Sequence, residues 1–148
     1  MDIQNKAMTD RIIGAAIRVH KELGPGFLEA MYEEALAIEL AAAGINFERQ
    51  KLLPVFYREH LIGEHRLHFL VAQKVTLELK AISAIEDIHF AIVPSYLKAA
   101  NLDDALLLNF ATPRLTFKRV GREYHQRAKA KMLSCNIPGF LDSRFNHA

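Results

Sequence analysis

The stretch that decides the fold is residues 66–81, RLHFLVAQKVTLELKA, two short apolar runs parted by Ala72-Gln73-Lys74. Successive side chains of a strand point to opposite faces. The second run therefore puts Val75, Leu77 and Leu79 on one face and Thr76, Glu78 and Lys80 on the other. A carboxylate and an ammonium thus project together from neighbouring non-core positions. The same alternation groups His68 with Arg66 and Leu70, against Leu67, Phe69 and Val71, so His68 can point to the side of Glu78 if the two strands pair in the register that matches those faces. Two readings of Glu78 and Lys80 follow: a charged pair on a solvated sheet face, or part of a polar centre.

Upstream, Thr9 or Asp10 is placed to cap a helix running to about Glu22, with Ile12, Ala16, Val19 and Leu23 near one face. Leu23-Gly24-Pro25-Gly26 stops it, because two glycines around a proline favour a turn and forbid continued helix. His20 falls near the helix end, where a carbonyl can take its proton, and reads as structural or surface. A second helix fits residues 28–43, with Leu28, Met31, Ala35, Leu36 and Leu40 as its apolar stripe and Gly44 as its stop. Glu29, Tyr32 and Glu33 are three and four residues apart and share a side of it, which reads as solvated carboxylates beside a partly buried tyrosine. Residues 47–57 read as a strand pair or one bent strand with Pro54 at an edge, bulge or turn; 58–60 as an exposed bend; and 61–71 as the returning strand, with Gly63 suited to a bulge.

Downstream, Pro94 either opens a helix near Val93 or kinks one, since an interior proline costs about 3 kcal/mol and the first turn tolerates it. Residues 106–110 read as a buried strand and 115–120 as a final edge strand. Glu86-Asp87 and Asp103-Asp104 read as caps and loop solvation rather than metal ligands. After Gly121 the chain becomes more basic and less periodic. Residues 123–133 read as a part-helical solvated tail, while Arg122, Arg127, Lys129 and Lys131 are the candidates for a phosphate-facing patch. Phe140 and Phe145 suggest docking of the tail on the body or on another subunit of a homo-oligomer.

Composition bounds the chemistry. At 148 residues with 51% hydrophobic content, the chain can bury a core of its own. A formal charge of +2 permits nucleic acid without indicating it. The single cysteine, Cys135, excludes an intrachain disulfide and a cysteine-rich zinc site. No apolar run reaches membrane-helix length, so no membrane partner and a cytoplasmic home are expected. Gly24 and Gly26 join two helical patterns rather than following a strand, so no dinucleotide cofactor is expected.

Gly26-Phe27-Leu28-Glu29-Ala30-Met31-Tyr32, preceded by the GPG of Gly24 to Gly26, with Ile13-Gly14-Ala15-Ala16, His20-Lys21-Glu22-Leu23, Glu78-Leu79-Lys80, Tyr96-Leu97-Lys98 and Leu107-Leu108-Asn109-Phe110 in order, resembles the GxxExxY family of the PD-(D/E)xK nuclease superfamily. The resemblance implies an α/β, restriction-endonuclease-like core, a mixed central sheet flanked by helices, over residues 1–120, with 121–148 as a basic C-terminal extension. It also implies a metal-dependent phosphodiesterase acting on DNA or RNA. Glu78, Glu29 and His68 would then hold magnesium or manganese, and Lys80, Glu78 and His68 would carry the catalysis.

Two positions depart from the family pattern. His68 stands where relatives carry a metal-binding aspartate, and imidazole brings no negative charge to a hard cation. Ile92 stands where they carry a glutamine. The alternative is therefore a non-catalytic nucleic-acid-binding or protein-interaction domain on the same scaffold.

Overall fold

The computed structural model describes residues 3–122. Its order is helix α1 (Ile3–Leu23), helix α2 (Glu29–Ala42), strands β1 (Phe47–Tyr57), β2 (His60–Val71) and β3 (Val75–Lys80), helices α3 (Asp87–Ala91) and α4 (Val93–Ala100), and strands β4 (Asp104–Asn109) and β5 (Thr116–Gly121). The strands form one sheet in chain order. All neighbours are antiparallel except β3 and β4, which run side by side in parallel. Parallel strands need a crossover, and α3 and α4 supply it. The result is an α/β fold with a mixed central sheet between helices.

The helices α1 and α2 cover one face, packing Ile12, Val19, Leu36 and Leu40 against Phe69, Leu77, Leu79 and Leu106. The shorter α4 covers the other, with Val93 and Leu97 on Ala105 and Val120, and Tyr96 and Ala99 on Leu53, Leu67 and Leu70. Because both faces are covered, β4 is buried along its whole length and reads as a near-continuous apolar run. The same covering buries Thr76 and Glu78, so the β3 face opposite Leu77 is not solvated.

Several local expectations are corrected. Helix α1 begins at Ile3 rather than at Thr9 or Asp10; the Thr9 hydroxyl donates to the Lys6 carbonyl at 2.9 Å instead of capping. Leu67 packs with Leu70 rather than with Phe69, so strict alternation fails just before His68. The bulge that Gly63 suggested does lie beside it: pairing steps from Val55–Gly63 to Phe56–Leu61 and leaves Ile62 as the extra residue on β2. Asp104 is not in a solvated loop; it opens β4, buried, and accepts a hydrogen bond from Asn5. Of the two expectations for Pro94, the first holds: helix α4 starts at Val93 with Pro94 in its first turn, where the missing N–H costs nothing.

Tyr32 is fully buried rather than partly so. Its hydroxyl donates to the Gly24 carbonyl at 2.5 Å and accepts the Phe27 N–H at 3.2 Å, and its ring stacks on Phe110 at 4.6 Å. Gly24 and Gly26 both sit at positive φ, which glycine adopts without strain. The tyrosine thus clamps the turn that aims the first residue of α2, Glu29.

Asn109, at the end of β4 beside Lys80, is completely buried. Its side chain accepts from the Ile82 N–H at 3.1 Å and the Ala111 N–H at 3.3 Å and donates to the Ile82 carbonyl at 2.9 Å. It ties down the chain on both sides of the parallel pair. Asn109→Ala is expected to destabilise the protein by about 2 kcal/mol, because the backbone groups it serves lose their partners. Urea unfolding should show a lower midpoint with unchanged slope.

Candidate active site

At His68 strand β2 loses its pairing with both neighbours. Pairing of β1 with β2 runs through Arg49 and Phe69, passes over Gln50 and His68, and resumes at Lys51 and Leu67. Gln50 takes a positive φ of 51° there, which is unusual for a residue with a side chain. On the other side, pairing with β3 stops at Phe69 and Leu77. Past that point the Leu79 N–H, which a continuing ladder would have satisfied, donates to His68 Nδ1 at 2.9 Å.

That bond settles the imidazole's role. A ring nitrogen that accepts an N–H is unprotonated, so the proton of neutral His68 lies on Nε2. The Nε2 atom lies near two carboxylates, 3.6 Å from Glu29 Oε1 and 3.9 Å from Glu78 Oε1, just beyond direct hydrogen-bond length. Lys80 Nζ approaches the same Glu78 oxygen at 3.4 Å. Positions 68, 78 and 80 of two adjacent strands therefore meet position 29, which is remote in sequence.

Glu78 is only 5% exposed, and burial pushes its carboxyl above the usual range, an effect that the nearby His68 and Lys80 oppose. Its Oε2 is buried without a hydrogen-bond partner among the described residues. Native structures rarely leave such an atom unmatched, because the cost of desolvation is then uncompensated. Tyr96 of α4, packed on Leu53, Leu67 and Leu70, lies near enough to feel the Glu78 charge. Its phenol is pushed up to about 12, first by burial and then by the Glu78 charge, so it stays a neutral hydroxyl at physiological pH.

Sequence reasoning missed Gln50 and read Glu33, on the same side of the helix as Glu29, as solvated. Gln50 and Glu33 join Glu29, Ala30 and His68 around a small open hollow of about 110 Å³. The Gln50 amide donates to Glu33, which is also held by Arg49 at 2.6 Å. Glu33 is thus partnered rather than solvated. Gln50 gives no signal in sequence, because its backbone strain appears only in three dimensions.

Other expected residues do not converge here. Arg122 lies where β5 ends against the start of β4, whereas Lys80 pairs with Asn109 at the far end of β4. Its guanidinium donates to Asn101 at 2.8 Å and to the Leu97 carbonyl, closing the C-terminus of α4. Arg127, Lys129, Lys131, Cys135 and the rest of residues 123–148 lie outside the described residues. Ile92 sits at the junction of α3 and α4, partly exposed, its carbonyl accepting from the Ser95 N–H at 3.1 Å. Glu86 caps α3, as expected.

Among the described residues, no group of three or more His, Cys, Asp and Glu side chains is arranged to hold a metal ion. The imidazole offers no lone pair to a cation while Leu79 occupies Nδ1. The two carboxylates fit a hard cation better, since magnesium is commonly held by one or two carboxylates with water and phosphate completing its shell. The unpartnered Glu78 Oε2 is the atom such a cation would satisfy.

A mixed sheet between helices, with a Glu and a Lys leaving the end of a central strand beside an acidic residue from an early helix, defines a nuclease-like scaffold. Residues 6–120 match the family model of the PD-(D/E)XK nuclease superfamily, and the chain belongs to that superfamily. No curated protein and no solved structure matches it. Among the described residues no helix is long and apolar enough to cross a membrane.

The raised Glu78 carboxyl has a consequence for stability. The fold prefers its protonated form, so the stability linked to it is complete below the unfolded value near 4.5 and is lost as pH rises through the raised folded value. Glu78→Gln removes that loss. It is expected to melt at higher temperature than the wild type near neutral pH, with the gap closing as pH falls toward 4.5, as thermal unfolding across a pH series would reveal.

Proposed function

We propose that this protein is a metal-dependent nucleic-acid phosphodiesterase of the GxxExxY family, acting in the cytoplasm on DNA or RNA. The observation that carries the reading is the convergence of Glu29, Glu78 and Lys80 around His68, with one oxygen of Glu78 buried and unmatched. The motif from Gly26 to Tyr32 supports the family assignment, because its tyrosine clamps the turn and so aims its glutamate.

In this reading Glu78 and Glu29 hold magnesium or manganese. When bound, the ion supplies Lewis-acid polarisation of a phosphoryl oxygen. Lys80 contributes positive charge where negative charge grows on the phosphate and orients the attacking water. His68 acts as an Nε2–H donor rather than as a ligand: it orients the Glu29 carboxylate and offers a hydrogen bond to a phosphate oxygen. Tyr96, fixed as a neutral hydroxyl, limits water on the side of Glu78.

A second reading has its own support. With Leu79 capping Nδ1, position 68 cannot do the work of a metal-binding carboxylate, which favours a non-catalytic nucleic-acid-binding domain on a nuclease scaffold.

Cleavage of varied DNA and RNA substrates with magnesium or manganese separates the two. On the first reading the wild type cleaves, and Glu78→Ala and Lys80→Ala each lower the rate at least about a hundredfold. Manganese raises the melting temperature of the wild type and not that of Glu78→Ala. His68→Asp, which restores a charged oxygen ligand, increases activity with magnesium. A folded wild type that neither cleaves nor gains stability from any divalent ion leaves the second reading.

A further inference from the structure

A second concavity opens on the other side of the turn that aims Glu29. It is a cleft of about 530 Å³ between the end of α1, the Gly24–Gly26 turn and the loop from β4 to β5. That volume lies in the range of small-ligand sites. Ile17, Pro25, Pro113 and Leu115 give it apolar walls, and Lys21 and Arg114 contribute its charges. No acidic side chain lines it. Among the described residues neither cation has an ion pair, whereas Arg18, Arg49 and Arg119 all do.

The cleft is held open by a buried contact. His20, 8% exposed, meets the Thr112 carbonyl at 2.9 Å and so fixes the end of α1 to the loop that carries Pro113 and Arg114. Lys21 lies in the last turn of α1, where its charge offsets the partial negative end of the helix. Arg114 is surplus to that need. Apolar walls with two cations that have no ion pair among the described residues suit a ligand that is apolar at one end and anionic at the other.

The position of the cleft narrows the ligand further. Phe110 lies under both sites: its ring approaches His20 at 6.3 Å and Tyr32 at 4.6 Å, and its N–H donates to the Lys80 carbonyl at 3.0 Å. Both concavities therefore lie at the C-terminal ends of the parallel strands β3 and β4, the end at which open α/β sheets bind ligands.

We propose that this cleft is a subsite for one nucleotide of the substrate strand, its phosphate on Lys21 and Arg114 and its sugar and base against Ile17, Pro25, Pro113 and Leu115. The proposal rests on the nucleic-acid reading above and adds the path of the strand: from Glu78 and Lys80, past the Gly24–Gly26 turn, into the cleft. Backbone charge gives such a site affinity without sequence preference.

The test is binding of dye-labelled single-stranded DNA and RNA oligonucleotides to the full chain in EDTA, over a salt series, with cleavage measured separately. Lys21→Ala/Arg114→Ala is expected to weaken binding about tenfold at moderate salt. The slope of log affinity against log salt should flatten by about 0.7 to 1.4, the loss of one or two phosphate contacts. Lys21→Arg/Arg114→Lys, which keeps the charge, should bind as the wild type does, as should Lys74→Ala at the opposite end of β3. Wild-type affinity and salt slope in the folded double-alanine variant overturn the subsite, as does a wild type that binds no oligonucleotide. Because EDTA removes the chemistry, binding that depends on Lys21 and Arg114 in a protein that never cleaves supports the cleft and sinks the phosphodiesterase. Cleavage that needs Glu78 but is unchanged in the double-alanine variant does the reverse.

Discussion

The hydrogen bond from the Leu79 N–H to His68 Nδ1 is the constraint on which the centre depends. A sheet that stayed zipped from Val71 to the end of β3 would have a continuous ladder and no room for polar side chains between strands. Here the ladder ends at Phe69 and Leu77, and the imidazole supplies the acceptor that the opposite backbone no longer offers. Backbone donors buried away from water need a partner, so the separation of the strands is affordable only because a side chain fills it. An aspartate at the same position could accept the same bond, but it would bring a charge with it. Histidine satisfies the backbone and leaves the site one negative charge poorer.

The electrostatics follow from that substitution. Glu78 is buried beside one ammonium and one imidazole, and its second oxygen has no partner among the described residues. The interior therefore resists ionising it. A buried carboxylate in that state is costly as architecture and useful as a ligand. Glu29 differs: it is partly exposed at the start of α2, where the helix dipole favours negative charge.

Much of the fold was legible in the sequence. Alternation in VTLELKA marked the inward side of β3, GPG marked the turn, and Pro94 marked the start of α4. What alternation could not show was the second layer: α4 covers the face that local pattern assigned to solvent, which is why Glu78 is buried rather than wet. The site was legible only through motif resemblance, since Glu29 and Glu78 come together through long-range packing. Gln50 and the tautomer of His68 were not legible at all. Each depends on the parting of strands, a property of paired backbones rather than of any residue type. The helix start at Ile3 was missed for a humbler reason: Thr9 and Asp10 look like caps, yet the turns before them are helical too.

The order of the strands carries one more implication. Every neighbouring pair but one is joined by a short reversal of the chain, so its formation closes only a small loop. The exception, β3 against β4, waits for the whole crossover of residues 81–103. The entropy of closing that long loop is concentrated at one seam, and Lys80 and Asn109 stand at its end. Damage to the crossover would let the two halves of the sheet part there while each hairpin stayed intact, so the ground on which the polar centre rests is also where this architecture is most easily divided.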